Sequence, residues 1–267
     1  MALSSKLSLI AGVALAVPAL LCAQGRGGGE PPKNLQVLPK DWSRQQVQQV
    51  MNTFTAALGV RCEHCHVAAE GAPAGGAPPA GGPPGGGRGG PPLDFAKDSL
   101  ETKKVARAML KMVDAINGQY LPATGRTIAD RDKVTCETCH HGLTKPQTLR
   151  NALASAAEAK GADSATALYR ALRTKYYGAA AYDFTEGALP LAANDMVRMK
   201  QNAAALALLK LNLEFYDKSA PTYSTMAQVY LAQMDTAQAV DALKKAAVLQ
   251  PNNPQVRQML QRLGVAP

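Results

Sequence analysis

Hydrophobic positions in the first half of the chain form two stripes, each with the spacing of one helix face. The first stripe begins shortly after Ser43, a favoured N-cap residue, and ends at Gly59, a favoured C-cap residue. The pattern therefore predicts an amphipathic helix that ends at about residue 58. Its apolar positions are Val47, Met51, Phe54 and Leu58.

The second stripe predicts a helix over about residues 98–120, because Asn117, Gly118 and Pro122 are typical of a helix end. After each predicted helix the chain turns into the same five-residue motif. The first half is thus an internal repeat of an amphipathic helix with an inward methionine, a turn and the motif. The second stripe comprises Val105, Met109, Met112 and Ile116.

From about residue 148 the composition changes to Ala, Leu, Lys and Gln with helical periodicity. Residues 220–253 match the helix pair of a tetratricopeptide repeat, and residues 202–218 and 154–177 predict further helices. Such helix pairs stack into a solenoid, which is here either a docking module for a partner protein or a cap on the first half. The matching positions are Tyr223, Ala227, Tyr230, Ala239, Leu243, Ala246 and Pro251.

The two five-residue motifs, residues 62–66 and 136–140, both read C-x-x-C-H, the signature of covalent c-type haem attachment. Two thiols at this spacing bind the two vinyl groups of one haem, and the adjacent histidine ligates its iron. All four histidines and four of the five cysteines of the chain lie in or against these motifs. The sequence therefore predicts two covalently bound haem c groups, with Cys62, Cys65, Cys136 and Cys139 as attachment residues and His66 and His140 as axial ligands.

Three other uses of the motif cysteines stay open at this point: a zinc site, two redox-active dithiols, or structural disulfides. The knuckles of a zinc ribbon usually lie closer together in sequence than these motifs do. A thioredoxin-like dithiol is typical of a βαβ setting, which the pattern does not indicate. Disulfides would not explain a histidine at the same position twice.

Methionines supply the predicted sixth iron ligands, since methionine sulfur is a common partner of histidine in cytochromes c. Met51 precedes His66 by 15 positions and Met112 precedes His140 by 28 positions. We predict these two pairs as axial ligands, with Met109 as the alternative for the second haem. The other interpretation places the methionines in an ordinary core. His64 and His141 are expected to contact solvent or a haem propionate.

The N-terminal residues 1–23 have the pattern of a secretory signal, with Lys6 ahead of an apolar run. Cys22 adds the alternative of a lipoprotein, and membrane association is expected only if this cysteine is lipidated. The protein is therefore predicted to be exported to the periplasm. Residues 24–32 are expected to be flexible, and residues 68–92, almost all Gly, Ala and Pro, to form a disordered loop.

We predict no nucleic-acid partner, although the net charge is +9. The basic residues are dispersed along the chain, and the propionates of two haems would offset part of the excess. No nucleophile–base pair, carboxylate metal cluster or phosphate-binding loop is evident in the second half.

Four segments of the sequence resemble the cytochrome c subunit of photosynthetic reaction centres: residues 34–39, 51–62, 106–117 and 134–140. The resemblance spans about residues 33–146. It implies helix–turn–C-x-x-C-H units with His/Met ligation, in agreement with the pairs proposed above. That family typically has four haems, whereas this chain has two motifs, and Arg126 lies near the place of a family histidine. The resemblance therefore implies a two-haem relative that serves another electron-transfer chain.

The sequence as a whole predicts a mainly α protein. A dihaem c-type cytochrome domain at residues 33–147 is followed by a helical tetratricopeptide-like domain at residues 148–267. The expected function is single-electron transfer between redox partner proteins, with possible docking on the second domain. The alternatives are a peroxidase-like dihaem enzyme or a haem-based sensor, either of which needs one open iron site.

Overall fold

The computed structural model describes residues 30–71 and 92–265. This part of the chain is mainly helical, as predicted, with ten α-helices and a single two-stranded antiparallel ribbon. None of its helices combines the length and the apolar character that a membrane crossing requires. The predicted signal sequence, Cys22 and most of the Gly/Pro-rich loop lie outside the described residues.

The first predicted helix is confirmed as α1, Arg44–Leu58. Ser43 caps it through a reciprocal pair of contacts with Gln46, in which the backbone N–H of Ser43 donates to Gln46 Oε1 at 2.8 Å. Gly59 ends it in the left-handed conformation, with φ of 63°. Both ends therefore follow from the local sequence.

The second predicted helix forms as α2, Glu101–Ala115, and continues as a π-helical turn, Ile116–Tyr120. It begins three residues later than about residue 98, the start that the sequence indicated. Before it, strands β1 (Val67–Ala68) and β2 (Leu93–Asp94) pair in antiparallel register. After it, the second C-x-x-C-H motif forms the short helix α3, Cys136–His140.

Seven helices make up the second half, and most of them pair with a sequence neighbour. The pairs are α4 with α5, α6 with α7, and α8 with α9, while α10 packs on α9; successive pairs also stack on one another. The seven helices are α4 (Leu149–Lys160), α5 (Ala162–Tyr176), α6 (Ala188–Arg198), α7 (Asn202–Phe215), α8 (Ala220–Ala232), α9 (Thr236–Leu249) and α10 (Pro254–Arg262).

Two of these helices, α6 and α10, were not predicted from the sequence. Pro190 argues against a helix at α6, because proline usually interrupts one. It lies in the first turn of α6, however, where a backbone N–H has no intrahelical acceptor and its absence costs no hydrogen bond. With α6 present, the second half has three stacked helix pairs. The tetratricopeptide-like interpretation and the domain boundary at residues 147/148 stay predictions.

The hydrophobic core lies entirely between Leu149 and Leu260. Alanines that are completely buried, such as Ala193 and Ala227, let its helices approach closely. In the described part of the first half, by contrast, the buried hydrophobic residues are only Ala57 and Leu143. The two halves are therefore stabilised differently, and apolar packing between protein side chains dominates only in the second.

A backbone contact joins α1 to the segment after α3. The Gly142 N–H donates to the Ala57 carbonyl at 2.8 Å. A Cβ atom on Gly59 would lie 2.4 Å from the Gly142 carbonyl oxygen, which is closer than atoms can approach. Residue 59 must therefore be glycine for its backbone conformation and also for this close approach.

We expect Gly59→Ala to destabilise the first half by more than the roughly 1–2 kcal/mol that a left-handed alanine costs, because the new Cβ also meets Gly142. Thermal unfolding of the holoprotein measures the loss. The matched control is Gly125→Ala, since Gly125 has a similar φ of 71° but nothing within 4 Å of its added Cβ. Equal losses in the two variants would contradict the close-packing argument.

Candidate functional site

The first C-x-x-C-H motif folds into one tight helical turn. The N–H groups of Cys65 and His66 both donate to the Cys62 carbonyl, at 3.1 and 3.0 Å. Cys62, Cys65 and His66 are thus carried by one compact turn, which suits attachment to a single haem. Cys62 is exposed and Cys65 is half-buried.

The segment that leads into α2 and the first turn of that helix hold this motif in place. Thr102 Oγ1 donates to the His64 carbonyl at 2.5 Å. The Phe95 ring meets the His66 imidazole edge-on, with 4.9 Å between ring centroids. The helix assigned from sequence to the second motif therefore also supports the first.

A network of three charged side chains lies beside His66; we call Asp98, Lys103 and Arg107 the Asp98 network. Lys103 Nζ lies 2.8 Å from Asp98 Oδ1. Arg107 donates two hydrogen bonds to the same carboxylate, at 2.7 and 2.9 Å. Arg107 first, and then Lys103, hold the pKa of Asp98 well below its usual range.

The second motif is anchored from both sides. Ahead of it, the Asn117 side chain accepts from the Val134 N–H and donates to the Val134 carbonyl, both at 2.8 Å. Within it, the Thr135 N–H donates to Thr138 Oγ1 at 3.0 Å. These contacts tie the end of α2 to the start of α3, which also packs against α1. The second motif is thus supported by both α1 and α2.

His140 is the buried centre of the second motif, with 8% of its surface exposed. Its Nδ1 lies 2.6 Å from the Leu143 carbonyl. A carbonyl can only accept, so Nδ1 carries the proton and Nε2 keeps a free lone pair for a metal. The turn that returns Leu143 to the ring requires left-handed conformations at His141 and Gly142, with φ of 46° and 84°.

The thiols do not support the alternatives to haem. The four motif cysteines are unpaired in the structure. Burial raises the pKa of Cys65 and of Cys136, whereas a reactive dithiol depends on a lowered pKa. Within residues 30–71 and 92–265, no three His, Cys, Asp or Glu side chains converge to hold a metal ion. A zinc centre built from both motifs therefore lacks a donor set.

The methionines differ in their surroundings. Met51 and Met109 are half-buried, whereas Met112 is 43% exposed. On the same stripe, Val105 is 55% exposed. The stripe is thus not core packing, and it offers an apolar wall of the kind that a haem face contacts. His64 and His141 are exposed, as expected.

A comparison with known protein families matches residues 87–233 to the photosynthetic reaction centre cytochrome C subunit, over more than half of the chain. The chain belongs to this family. Members of the reaction-centre cytochrome family are haem c electron-transfer proteins that work with redox partner proteins. No curated protein matches the chain.

The matched range differs from the resemblance seen in the sequence, which spanned about residues 33–146. It starts after the first C-x-x-C-H motif, includes the second, and extends through the helix pairs α4–α5 and α6–α7 and all of α8. Family membership therefore involves the helices of the second half as well as a haem motif. The first motif, residues 62–66, lies outside the matched range.

The residues of this reaction-centre cytochrome relative fit haem c at both motifs. Each motif offers two thiols and a histidine on one helical turn, and His140 has the hydrogen bond that frees Nε2. His66 Nδ1 is buried without a hydrogen-bond partner among the described residues. That nitrogen, the Asp98 network and the Asn117 anchor were missed by sequence reasoning. The only local signal was the position of Arg107 between the stripe residues Val105 and Met109 of α2.

We expect Asn117→Ala to loosen the entry into the second motif, because two hydrogen bonds are lost, at about 0.5–1.5 kcal/mol each. Hydrogen–deuterium exchange of the holoprotein, measured by mass spectrometry, should show faster exchange at Val134 and across α3. Asn117→Asp keeps the acceptor for the Val134 N–H and should show a smaller change at that amide. Unchanged exchange in both variants would mean that α3 is held by α1 alone.

Proposed function

We propose that the protein is an exported dihaem c-type cytochrome that carries single electrons between redox partner proteins. The observation that carries the proposal is the His140 geometry: a buried imidazole at the end of a C-x-x-C-H helix donates from Nδ1 to a carbonyl at 2.6 Å. This hydrogen bond fixes both the ring orientation and the tautomer that an iron ligand needs.

The residues of the two motifs have the same roles in this proposal. The cysteines hold the porphyrin covalently, the histidine is the proximal ligand, and a methionine completes the iron coordination. Bound haem c supplies a one-electron couple. The attachment residues are Cys62, Cys65, Cys136 and Cys139, and the axial pairs are His66 with Met51 and His140 with Met112.

Closed coordination favours a carrier over an enzyme. An iron with two protein ligands changes its charge without binding a substrate, so it exchanges electrons with little rearrangement. The four cysteines and two histidines use all the motif positions, and no further described side chains converge on a metal. The packing of α1 on α3 and the hydrogen bond from Thr102 to His64 support two sites within one unit, where electrons can pass between them.

We place the protein in the periplasm, because residues 1–23 have the pattern of a secretory signal and c-type haem is attached outside the cytoplasmic membrane in bacteria. A lipid on Cys22 would add membrane association. The second half offers a surface for a partner protein, since three stacked helix pairs form an extended face.

The ligation is tested on protein produced with haem-maturation machinery. We expect two haems per chain by pyridine haemochrome assay, low-spin iron by electron paramagnetic resonance, and the far-red charge-transfer band of a sulfur–iron bond. Met51→Ala and Met112→Ala should each remove part of that band. Met109→Ala, which changes the neighbouring methionine on the same stripe, is the control and should leave the band intact.

Other outcomes point elsewhere. If Met109→Ala loses part of the band and Met112→Ala does not, the methionine ligand of the second haem is Met109, three positions earlier on α2. One high-spin iron that binds carbon monoxide would replace the carrier by a peroxidase-like enzyme or a haem-based sensor. Protein without haem would refute the proposal as a whole.

A further inference from the structure

A cavity of about 230 Å³ lies where the two halves of the chain meet, and we call it the junction cavity. Gly59 and Gly142, whose turns are in backbone contact, line it from the first half, and Tyr176 and Tyr182 line it from the second. Pockets for drug-sized ligands measure about 300–1,000 Å³. The junction cavity is smaller, so it suits an occupant of the size of one amino-acid side chain.

The lining of the junction cavity is basic. Lys145 and Lys175 belong to it, and no aspartate or glutamate among the described residues does. Within residues 30–71 and 92–265, neither lysine has an ion-pair partner. Asp183 follows Tyr182 in the chain but is not part of the lining, and its Oδ1 accepts from the Thr185 N–H at 2.9 Å. The cavity therefore presents two uncompensated positive charges, which attract an anionic group.

Aromatic packing holds the wall that the second half contributes. The Tyr176 and Tyr182 rings meet edge to face, with 5.6 Å between their centroids, and Lys175 Nζ lies 4.8 Å from the centroid of the Tyr176 ring. Behind them, the buried ring of Phe184 lies 6.1 Å from Tyr182 and 6.3 Å from Tyr177. The cavity wall is thus continuous with the exposed ring of Tyr177.

Tyr177 belongs to an exposed stack in which the Arg173 guanidinium lies between two rings, 4.2 Å from the Tyr177 centroid and 4.3 Å from that of Phe215. We call these three residues the Arg173 stack. Its rings are 64% and 38% exposed. Arg173 is held by the Tyr169 hydroxyl and the Phe184 carbonyl, at 3.3 and 3.2 Å. Exposed aromatic residues and arginine are typical of protein interfaces, whereas a free anion would make no use of the rings.

The junction cavity lies beside the turns that carry both motifs. Leu143 lines it, and the carbonyl of Leu143 is the acceptor for His140 Nδ1. Gly59, on the same lining, precedes Cys62 of the first motif by three positions. A protein bound over this cavity would therefore lie close to the groups that we assign to the haem sites.

We propose that the junction cavity is a docking site for a redox partner protein with an acidic surface. A carboxylate of that partner enters the cavity and pairs with Lys145 and Lys175, and the surface around this carboxylate packs on Tyr177 and Phe215. Complementary charge of this kind mainly raises the rate of association and selects the partner. The inference rests on the carrier function proposed above and adds the chemistry of the partner and the place where it binds.

Stopped-flow reduction of the oxidised holoprotein by flavodoxin hydroquinone, a small acidic electron-transfer protein, tests the site. Lys145→Gln and Lys175→Gln should each lower the second-order rate constant about two- to fivefold at low ionic strength, because each removes a charge that steers association. The difference should disappear at high salt, which screens exposed charges. Lys175→Arg keeps the charge and should react like the wild type. Lys244→Gln, which changes an exposed lysine on α9, is the control and should also do so.

The Arg173 stack separates a docked protein from a free anion. Tyr177→Ser should lower the rate constant at low and at high salt, whereas Val248→Ser, at an apolar position 80% exposed on α9, should not. The inference is wrong if both glutamine variants of the cavity lysines react like Lys244→Gln while two haems remain bound. It is also wrong if Tyr177→Ser has no effect and inorganic phosphate, added at constant ionic strength, slows the wild type, since the cavity would then bind a free anion. Fewer than two haems per chain by pyridine haemochrome assay would instead overturn the proposed function.

Discussion

The first half of the protein depends on a contact between two glycine-containing turns, where the Gly142 N–H meets the end of α1 at the Ala57 carbonyl. The first turn leads into one C-x-x-C-H motif, and the other leads out of the second motif. Gly59 also lies directly against the Gly142 carbonyl, so the two turns are closely packed. This contact fixes the two motifs relative to one another even though about 70 residues separate them in sequence.

The two halves of the molecule differ in the protein–protein contacts that they contain. The second half buries leucines and alanines between stacked helices, so apolar burial dominates. In the described part of the first half, directed contacts hold the motifs in place: the Asp98 network, the Asn117 anchor and the hydrogen bond from Thr102 to His64. Directed contacts suit a half that holds reactive groups in place, since functional groups must be held within about 0.5 Å of their productive geometry.

Local features of the fold could be predicted from the sequence. The cap at Ser43, the left-handed end at Gly59 and the helical stripes all depend on neighbours within a few positions. Thr148 likewise caps α4 where the composition changes. The predicted start of α2, at about residue 98, falls three residues early, and the Asp98 carboxylate pairs instead with Lys103 and Arg107.

The candidate site was predictable only in part, for a physical reason. The motif cysteines and histidines are chemically distinctive, so their spacing identifies them. The group of Leu143 that orients His140 is its backbone carbonyl, which a residue of any type could supply. The anchor from Asn117 to Val134 spans 17 positions, and the contact of Arg107 with the Asn34 carbonyl spans 73. Periodicity within a helix does not report contacts of this kind.

The small ribbon of β1 and β2 has a consequence for how the chain can vary. Val67 pairs with Asp94, and the Ala69 N–H donates to the Pro92 carbonyl at 2.8 Å, so the chain segments at residues 67–69 and 92–94 lie side by side. The ribbon therefore holds the two ends of the intervening segment together next to His66. Doubling the length of a flexible insertion costs only about 0.6 kcal/mol in closure entropy. The segment between the two strands is thus a suitable place to insert a peptide, such as an affinity tag or an electrode linker. The insert would join the protein beside the first motif without displacing that motif.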